Sequence, residues 1–180
     1  MDKVVSFLKK YEKNVKKIQL IAFLILAILV VVVAILAPYI VPKDPFLAEM
    51  GKSLQKPSTE YIFGTDILGR DLFSRVIYGS RYSLFITLIL VATIFVIGTF
   101  LGVIAGYFGG IVDMIIMRIG DMMIAFPGLI LAIAIAGLLG PSVSNAIIAI
   151  SSVAWTKYAR LSRSMVIKVK QELYFEAAKV

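Results

Sequence analysis

Eighteen uninterrupted apolar residues, Leu20 to Ala37, constrain this chain more than any other feature of its sequence. At 1.5 Å per residue, a helix of about that length crosses a hydrocarbon core of about 30 Å. A signal peptide is the alternative, because lysines precede the run. The run is longer than a usual signal-peptide core, however, and no small-residue cleavage pattern follows before Pro38. We therefore predict a basic segment, 1–17, then an uncleaved transmembrane helix, 18–41, whose apolar run is expected to end at Pro38.

The composition points to a lipid-embedded protein. Of 180 residues, 60% are hydrophobic and 17% are charged, and the mean hydropathy of +0.94 does not fit a soluble surface. The net charge of +8 is concentrated at the two ends, with six lysines in residues 1–17 and six lysines or arginines in residues 157–180. Anionic lipid and the cytoplasmic excess of positive charge explain that distribution, so no nucleic acid is expected as a partner.

The chain contains no cysteine and no histidine. Thiol nucleophiles, imidazole bases and the commonest ligands of transition metals are therefore missing. Most enzymatic functions lose their reactive groups with them.

An extracytoplasmic loop is predicted over residues 42–81. Prolines and charges of both signs are spread along it. Its last part, Asp71 to Tyr78, has the apolar spacing of a short interfacial helix, on which Asp71 and Arg75 lie four residues apart as an ion pair.

A second apolar run extends from Tyr82 to about Ala105 without a charged residue. Gly98, Gly102 and Gly106 recur every four residues along it. This spacing leaves one helix face without side chains, so we predict that another helix packs closely there.

Two further spans are predicted in the second half. Residues 111–121 carry three charges and suit an interfacial or buried helix. A third span follows over Met122–Leu139, and Pro127 and Gly128 are expected to bend it or to start it afresh. The fourth segment, Val143–Thr156, is short and polar, which leaves a buried or re-entrant helix as the alternative. Four crossings place both basic ends in the cytoplasm, whereas three would place one outside.

The segment Gly64–Asp71 has the glycine spacing of a phosphate-binding loop without its chemistry. Such a loop needs a lysine for the terminal phosphates and a serine or threonine for magnesium. Here the second place is held by Asp71, which would repel phosphate. We expect no nucleotide there.

Two groups of charged residues allow two interpretations each. Asp66 and Asp71 could act as general acid and base or hold a hard cation, but a helix cap and an ion pair explain them with fewer assumptions. Asp113, Arg118 and Asp121 could form a proton relay. We favour an ion pair between Arg118 and Asp121, one turn apart. No catalytic residue and no metal site is predicted.

Three strings of residues resemble one known family. They are GTDILGRDLFSRVIYGSR (Gly64–Arg81), AGYFGGIVDMIIMRIGDMMIAFP (Ala105–Pro127) and WTKYARLSRSMV (Trp155–Val166). In order and spacing they resemble the permease subunits of peptide, dipeptide and nickel ABC importers, of the second-permease type. The residues that carry the signature in the first string are Gly64, Thr65, Asp66, Gly69, Arg70, Asp71 and Arg75.

The resemblance implies an all-α, polytopic transmembrane bundle of the type I importer permease kind. Residues 82–180 would form the first part of its transmembrane domain, with a basic amphipathic helix after Tyr158. Glu176, Ala177 and Ala178 resemble the opening of the cytoplasmic EAA loop, which couples such permeases to an ATPase. The glycine expected four residues after Ala178 lies past Val180, so the chain is expected to be truncated after about four transmembrane helices.

The resemblance also implies a function and its partners. The chain would form half of the translocation pathway of an importer in the bacterial inner membrane, with its N-terminus in the cytoplasm. Its partners would be a second permease, two ATPases and an extracytoplasmic solute-binding protein. ATP and magnesium would reside on the ATPases, and this chain would hold no cofactor and hydrolyse nothing. Peptide is the expected cargo and nickel the alternative. A secondary transporter and a membrane-anchored scaffold or enzyme are more distant alternatives, disfavoured by the absence of repeated halves and of reactive groups.

Overall fold

Long apolar runs in this chain form long helices. The structure, a computed structural model, describes residues 2–172, with side chains described from residue 15 onward. Its α-helices are α1 (Asp2–Ile40), α2 (Leu72–Phe108), α3 (Gly110–Ala125), α4 (Gly128–Leu139) and α5 (Val143–Lys170). A short 3-10 turn covers Met50–Lys52, and the described residues contain no strand. The predicted all-α fold is confirmed.

Two helices are long and apolar enough to cross a membrane: Val15–Ile40 within α1, and α2. A third crossing is counted if α3 and α4, which meet at a bend of 94°, form one broken span. Within the described part of the chain, α5 does not qualify, since serines, Asn145 and then basic residues interrupt its apolar stretch. The four-span topology therefore stays a prediction.

The helices expose large side chains and bury small ones. Phe23 on α1 is 72% exposed and Leu88 on α2 is 68% exposed, as a surface in contact with lipid tails requires. Several alanines are buried, and small residues of this kind let helix backbones approach closely in lipid. These alanines are Ala34, Ala37, Ala105, Ala132, Ala149 and Ala159.

Pro38 ends the apolar run but does not end α1. The helix continues to Ile40, and the Val41 N–H still donates to the Ala37 carbonyl at 3.2 Å. Proline holds φ near the helical value and removes only its own donor, so a last turn can continue past it.

The structure also differs from the prediction of a separate interfacial helix over Asp71–Tyr78. Leu72–Phe108 is one helix of 37 residues. No residue between the two predicted segments stops it: Gly79 lies in open space, and the Ser80 hydroxyl donates to the Ile77 carbonyl at 2.7 Å.

The second half of the chain contains the helix break that the sequence predicted at Pro127 and Gly128. Pro127 ends the preceding helix, and α4 starts afresh at Gly128, so the predicted span Met122–Leu139 is divided between α3 and α4. By contrast, the predicted segment Val143–Thr156 and the basic helix after Tyr158 form the single 28-residue helix α5.

The chain divides into two compact units, Met1–Phe85 and Ile86–Val180. The first contains the signature residues, and the second contains the glycines of α2 together with α3, α4 and α5.

Candidate functional site

In the first unit, two glycines of the signature make turns that other residues would strain. Gly64 and Gly69 have φ of +73° and +75°. A Cβ on Gly64 would lie 2.3 Å from the Gln55 carbonyl oxygen, and one on Gly69 would lie 1.9 Å from that of Glu49. Positive φ and the lack of a side chain are both needed at these positions.

Thr65 forms hydrogen bonds between the signature and the preceding loop. Its side chain is buried, and its hydroxyl accepts the Gln55 N–H at 2.8 Å and donates to the Lys52 carbonyl. Its own N–H donates to the Gln55 carbonyl at 3.1 Å. The hydroxyl of one threonine thus satisfies backbone groups of two other loop residues.

Asp66 closes the turn between the two glycines. Its Oδ1 accepts the N–H groups of Leu68 at 2.9 Å and Arg70 at 3.0 Å, and its Oδ2 accepts the Arg70 Nε at 2.8 Å. Desolvation raises the pKa of Asp66, but the hydrogen bonds from the Arg70 backbone and guanidinium and from Leu68 together outweigh it, so this pKa lies below its usual value.

Asp71 caps the N-terminus of α2. Its Oδ2 accepts the Ser74 N–H at 3.0 Å and the Ser74 hydroxyl, and Ser74 Oγ in turn accepts the Lys43 N–H at 3.3 Å. Asp71 and Ser74 are both buried. The carboxylate therefore serves the first turn of the helix, as capping residues do.

The predicted ion pair between Asp71 and Arg75 is wrong. Because the Asp71 carboxylate turns back toward the helix start, Arg75 instead donates to the Pro45 carbonyl at 3.3 Å, and its Nε lies 3.8 Å from Asp66 Oδ2. Within the described residues, no group of three or more His, Cys, Asp or Glu side chains is placed to hold a metal ion.

A cluster of charges around Tyr61 was not foreseen from the sequence. Lys43 Nζ lies 3.4 Å from the centroid of the Tyr61 ring and 3.4 Å from Glu60 Oε1. Lys52 Nζ lies 2.8 Å from Glu49 Oε2 and 3.5 Å from Glu60 Oε1. The charge of Lys43 lowers the pKa of Glu60, and the hydrogen bond to Glu49 raises the pKa of Lys52. Lys43 and Glu60 alone are 17 positions apart in the chain, so no local pattern marks the cluster.

In the second unit, the glycines of α2 lie directly against α5. A Cβ on Gly98 would lie 2.5 Å from the Trp155 carbonyl oxygen, and one on Gly102 would lie 2.3 Å from that of Ala159. On Gly106 it would lie 3.0 Å from the Arg163 carbonyl oxygen. We call Gly98, Gly102 and Gly106 the glycine face. The two backbones approach so closely that no side chain fits between them at these points.

The two acidic residues of α3 pair with arginines of α5 and not with Arg118. The Asp113 carboxylate accepts hydrogen bonds from both the Nε and the Nη2 of Arg163, and Asp121 Oδ1 lies 2.6 Å from Arg160 Nη2. The favoured ion pair between Arg118 and Asp121 is therefore wrong, and Arg118 is exposed. A charge in a mostly apolar helix is better compensated by a partner on a packed neighbour than by an exposed one on its own surface.

Arg160 and Arg163 were missed as site residues. The signal that could have found them is the presence of two acidic residues on the apolar helix α3 and two arginines three positions apart on the neighbouring basic helix. Intramembrane charges need partners, so the unassigned acids should have been matched to arginines elsewhere in the chain.

The end of α4 and the bend before it also contact α5. The Asn145 side-chain amide donates to the carbonyls of Leu139 at 2.7 Å and Gly140 at 3.1 Å, where α4 ends. Near the bend, an open groove of about 550 Å³ lies between α3, α4 and α5. Phe126 and Leu129 are among its lining residues, which are apolar apart from Thr156 and Lys157. It therefore offers van der Waals contact with few hydrogen bonds.

The predicted coupling residues Glu176, Ala177 and Ala178 lie outside the described residues. The helix that precedes them, α5, is described to its end at Lys170. Lys170 Nζ donates to the Tyr107 carbonyl at 2.8 Å, at the C-terminal turn of α2, where a positive charge is favourable.

Comparison with known proteins gives the family that the chain resembles. Residues 98–180 match the family described as binding-protein-dependent transport system inner membrane component. The chain is 45% identical over 168 residues to the dipeptide transport system permease protein DppC of Alkalihalophilus pseudofirmus, which covers 93% of this chain and 55% of that protein. It is 44% identical over 145 residues to the probable D,D-dipeptide transport system permease protein DdpC of Escherichia coli, with 81% and 49% covered.

A third relative is the glutathione transport system permease protein GsiD of Pectobacterium atrosepticum, 39% identical over 144 residues, with 79% of this chain and 48% of that protein covered. The chain spans about half the length of the curated relatives it matches.

The apolar helices and these matches define a multi-pass component of the bacterial inner membrane. The chain belongs to the family of binding-protein-dependent transport system inner membrane components, and the relatives above are named as permease proteins of dipeptide and glutathione transport systems.

Proposed function

We propose that this chain belongs to one permease subunit of an ATP-binding-cassette importer, and that its cargo is a short peptide. The observation that carries this proposal is the 45% identity to a dipeptide permease along 93% of the chain. Further relatives are named for D,D-dipeptide and glutathione, which are also small peptides or peptide-like molecules. Nickel remains the alternative cargo, without an observation in its favour.

The proposed partners are a second permease, two ATPases and a solute-binding protein outside the cytoplasmic membrane. The family description supports the solute-binding protein and, through it, an ATP-driven complex. This chain would perform no hydrolysis, and ATP and magnesium would bind to the ATPases. We place its N-terminus and the segment after α5 in the cytoplasm, following the basic residues at both ends.

Coupling would occur through the segment around Glu176, beyond α5. Glu176 would be the polar contact with the ATPase, and Ala177 and Ala178 would allow close approach. ATP can shift the permease between inward-facing and outward-facing states only if the ATPases contact this segment differently with and without ATP. The proposal therefore requires a nucleotide-dependent contact at these residues.

A crosslinking experiment tests this requirement. The chain has no native cysteine, so Ala178→Cys introduces a unique reactive position. In the complete permease, assembled with its partner permease and ATPases, we expect Ala178→Cys to crosslink to an ATPase to different extents with and without ATP. Lys56→Cys, at an exposed position of the extracytoplasmic loop, is the matched control and should give no ATPase crosslink.

Lys56→Cys should also react with a membrane-impermeant maleimide in intact spheroplasts, where Ala178→Cys should not. An assembled complex without a crosslink at Ala178→Cys would contradict coupling through this segment. Uptake of a labelled dipeptide and of radioactive nickel by the same complex separates the two cargos. If peptide is the cargo, unlabelled peptide should reduce the uptake of the labelled dipeptide, and nickel should not.

A further inference from the structure

In the second unit, α3 is bounded by a break at each end. Gly109 and Gly110, with φ of +66° and +52° and open space around both, connect α2 to α3. Phe126 and Pro127 connect α3 to α4, where the axis turns by 94°. A helix between two such breaks can change its angle to its neighbours without unwinding. Side-chain contacts must therefore decide which neighbour α3 follows.

In contrast, α5 is held firmly to α2. The glycine face leaves no gap between the two backbones, so α5 cannot shift toward α2 at those points without a steric clash. Lys170 adds a hydrogen bond from the end of α5 to the end of α2. Along this contact, the second half of α5 packs directly against the α2 backbone.

Arg163 is one of the residues of α5 that contact both α2 and α3. Its carbonyl oxygen lies against Gly106 of α2, 3.0 Å from the position of an added Cβ, while its guanidinium binds both carboxylate oxygens of Asp113 on α3. The Asp113 side chain is 17% exposed and that of Arg163 is 35% exposed. A two-point, partly buried pair of this kind holds both distance and orientation.

The second ion pair between the same helices differs in these respects. Asp121 and Arg160 are joined by a single contact of 2.6 Å, with side chains that are 55% and 49% exposed. Exposed single-contact pairs contribute little. The two pairs therefore form a natural comparison on the same two helices.

We propose that Asp113 and Arg163 are positioning residues for the transport step, because their pair makes α3 follow α5. A displacement of the segment beyond α5 would then carry α3 with it, and with α3 the break at Pro127. This inference rests on the proposed function, since the displacement is the one that the ATPases would impose. No substrate contact is assigned to either residue.

The test uses the complete permease in its assembled complex in proteoliposomes, with peptide uptake and ATP hydrolysis measured on the same samples. For Asp113→Asn we expect peptide transported per ATP hydrolysed to fall about tenfold, the size of a typical coupling effect, while ATP hydrolysis continues. The control Asp121→Asn should stay within about twofold of wild type. In the double variant Asp113→Arg with Arg163→Asp, peptide transported per ATP hydrolysed should recover to within about threefold of wild type, because the ion pair is restored with its charges exchanged.

Unchanged transport per ATP in Asp113→Asn would overturn the inference, as would an equal loss in Asp121→Asn or a charge exchange without recovery. A parallel loss of transport and hydrolysis would do the same, since it marks a purely structural role. If the wild-type complex itself shows no ATP-dependent peptide uptake, the proposed function fails and this inference fails with it. Wild-type uptake with an unaffected Asp113→Asn variant overturns the inference alone.

A distance measurement keeps the test valid if the variant transports nothing. Spin labels on cysteines at Met114 of α3 and Leu161 of α5, both exposed, report the separation of the two helices. We expect one distance in the presence and absence of ATP when the pair is intact, and a second population when Asp113 is replaced by Asn. Identical distance distributions in both proteins would overturn the inference.

Discussion

The signature loop and the helical layer of α2 and α5 are held together by opposite means. In residues 43–75, hydroxyls, carboxylates and cations satisfy backbone groups one by one, as Thr65 and Asp66 do. In residues 98–166, the contact depends on the absence of side chains at the glycine face. The loop is polar and specifies its conformation by hydrogen bonds. Helices in lipid gain little from burying apolar surface, so they rely on close fit.

One pair of substitutions on a single helix should show the largest effect. Gly102→Ala adds a methyl group 2.3 Å from the Ala159 carbonyl oxygen, whereas Gly79→Ala adds the same group to α2 in open space. We expect Gly102→Ala to lower the free energy of unfolding by about 3 kcal/mol, as overpacking does. Gly79→Ala should raise it by about 0.5 to 1 kcal/mol through helix propensity. Unfolding by SDS titration from mild detergent, followed by circular dichroism, measures both.

Equal effects of Gly102→Ala and Gly79→Ala would contradict the close approach of α2 and α5, and with it the contrast between the two regions.

The loop should respond less to the same change. Gly69→Ala meets a positive φ and a Glu49 carbonyl oxygen at 1.9 Å, but a loop can move where packed helices cannot. We expect a loss of about 2 kcal/mol in the free energy of unfolding, mostly from backbone strain. Gly51→Ala, a loop glycine with nothing within 4 Å, is the control and should change stability by less than about 0.5 kcal/mol. A neutral Gly69→Ala in the same SDS titration would show that the turn does not need its left-handed conformation.

Acid should weaken the loop. Because the folded pKa of Asp66 lies below its usual value of 3.8, its contribution to stability is complete above that value and is lost as the pH falls through the folded pKa. The thermal unfolding midpoint should be level from about pH 7 to 5 and fall below about pH 4. Asp66→Asn should reduce this fall without abolishing it, since Glu60, whose pKa is also lowered, titrates in the same direction. An unchanged pH profile in Asp66→Asn would show that the Arg70 contacts do not stabilise the loop.

The comparison of the two regions also shows which features a sequence pattern can predict. The glycine spacing of α2 and the break at Pro127 depend on residues near one another in the chain, and both could be placed beforehand. The helix cap was also expected, and Asp71 forms it. The ion-pair partners could not be placed, because local spacing offered Arg75 to Asp71 and Arg118 to Asp121. The structure forms neither pair, and two arginines of α5 bind Asp113 and Asp121 instead.

The sequence by itself determined that this is an all-α membrane protein with a polar loop, and its three strings of residues were enough to indicate the permease family. Those features follow from apolar length, helix breakers and short motifs, which are local. The tertiary structure decided that α5 lies at the centre of the second unit, against the glycine face and the acids of α3. Charges in an apolar helix take whichever opposite charge the packing brings within reach, up to 50 residues away, and no local pattern records that distance.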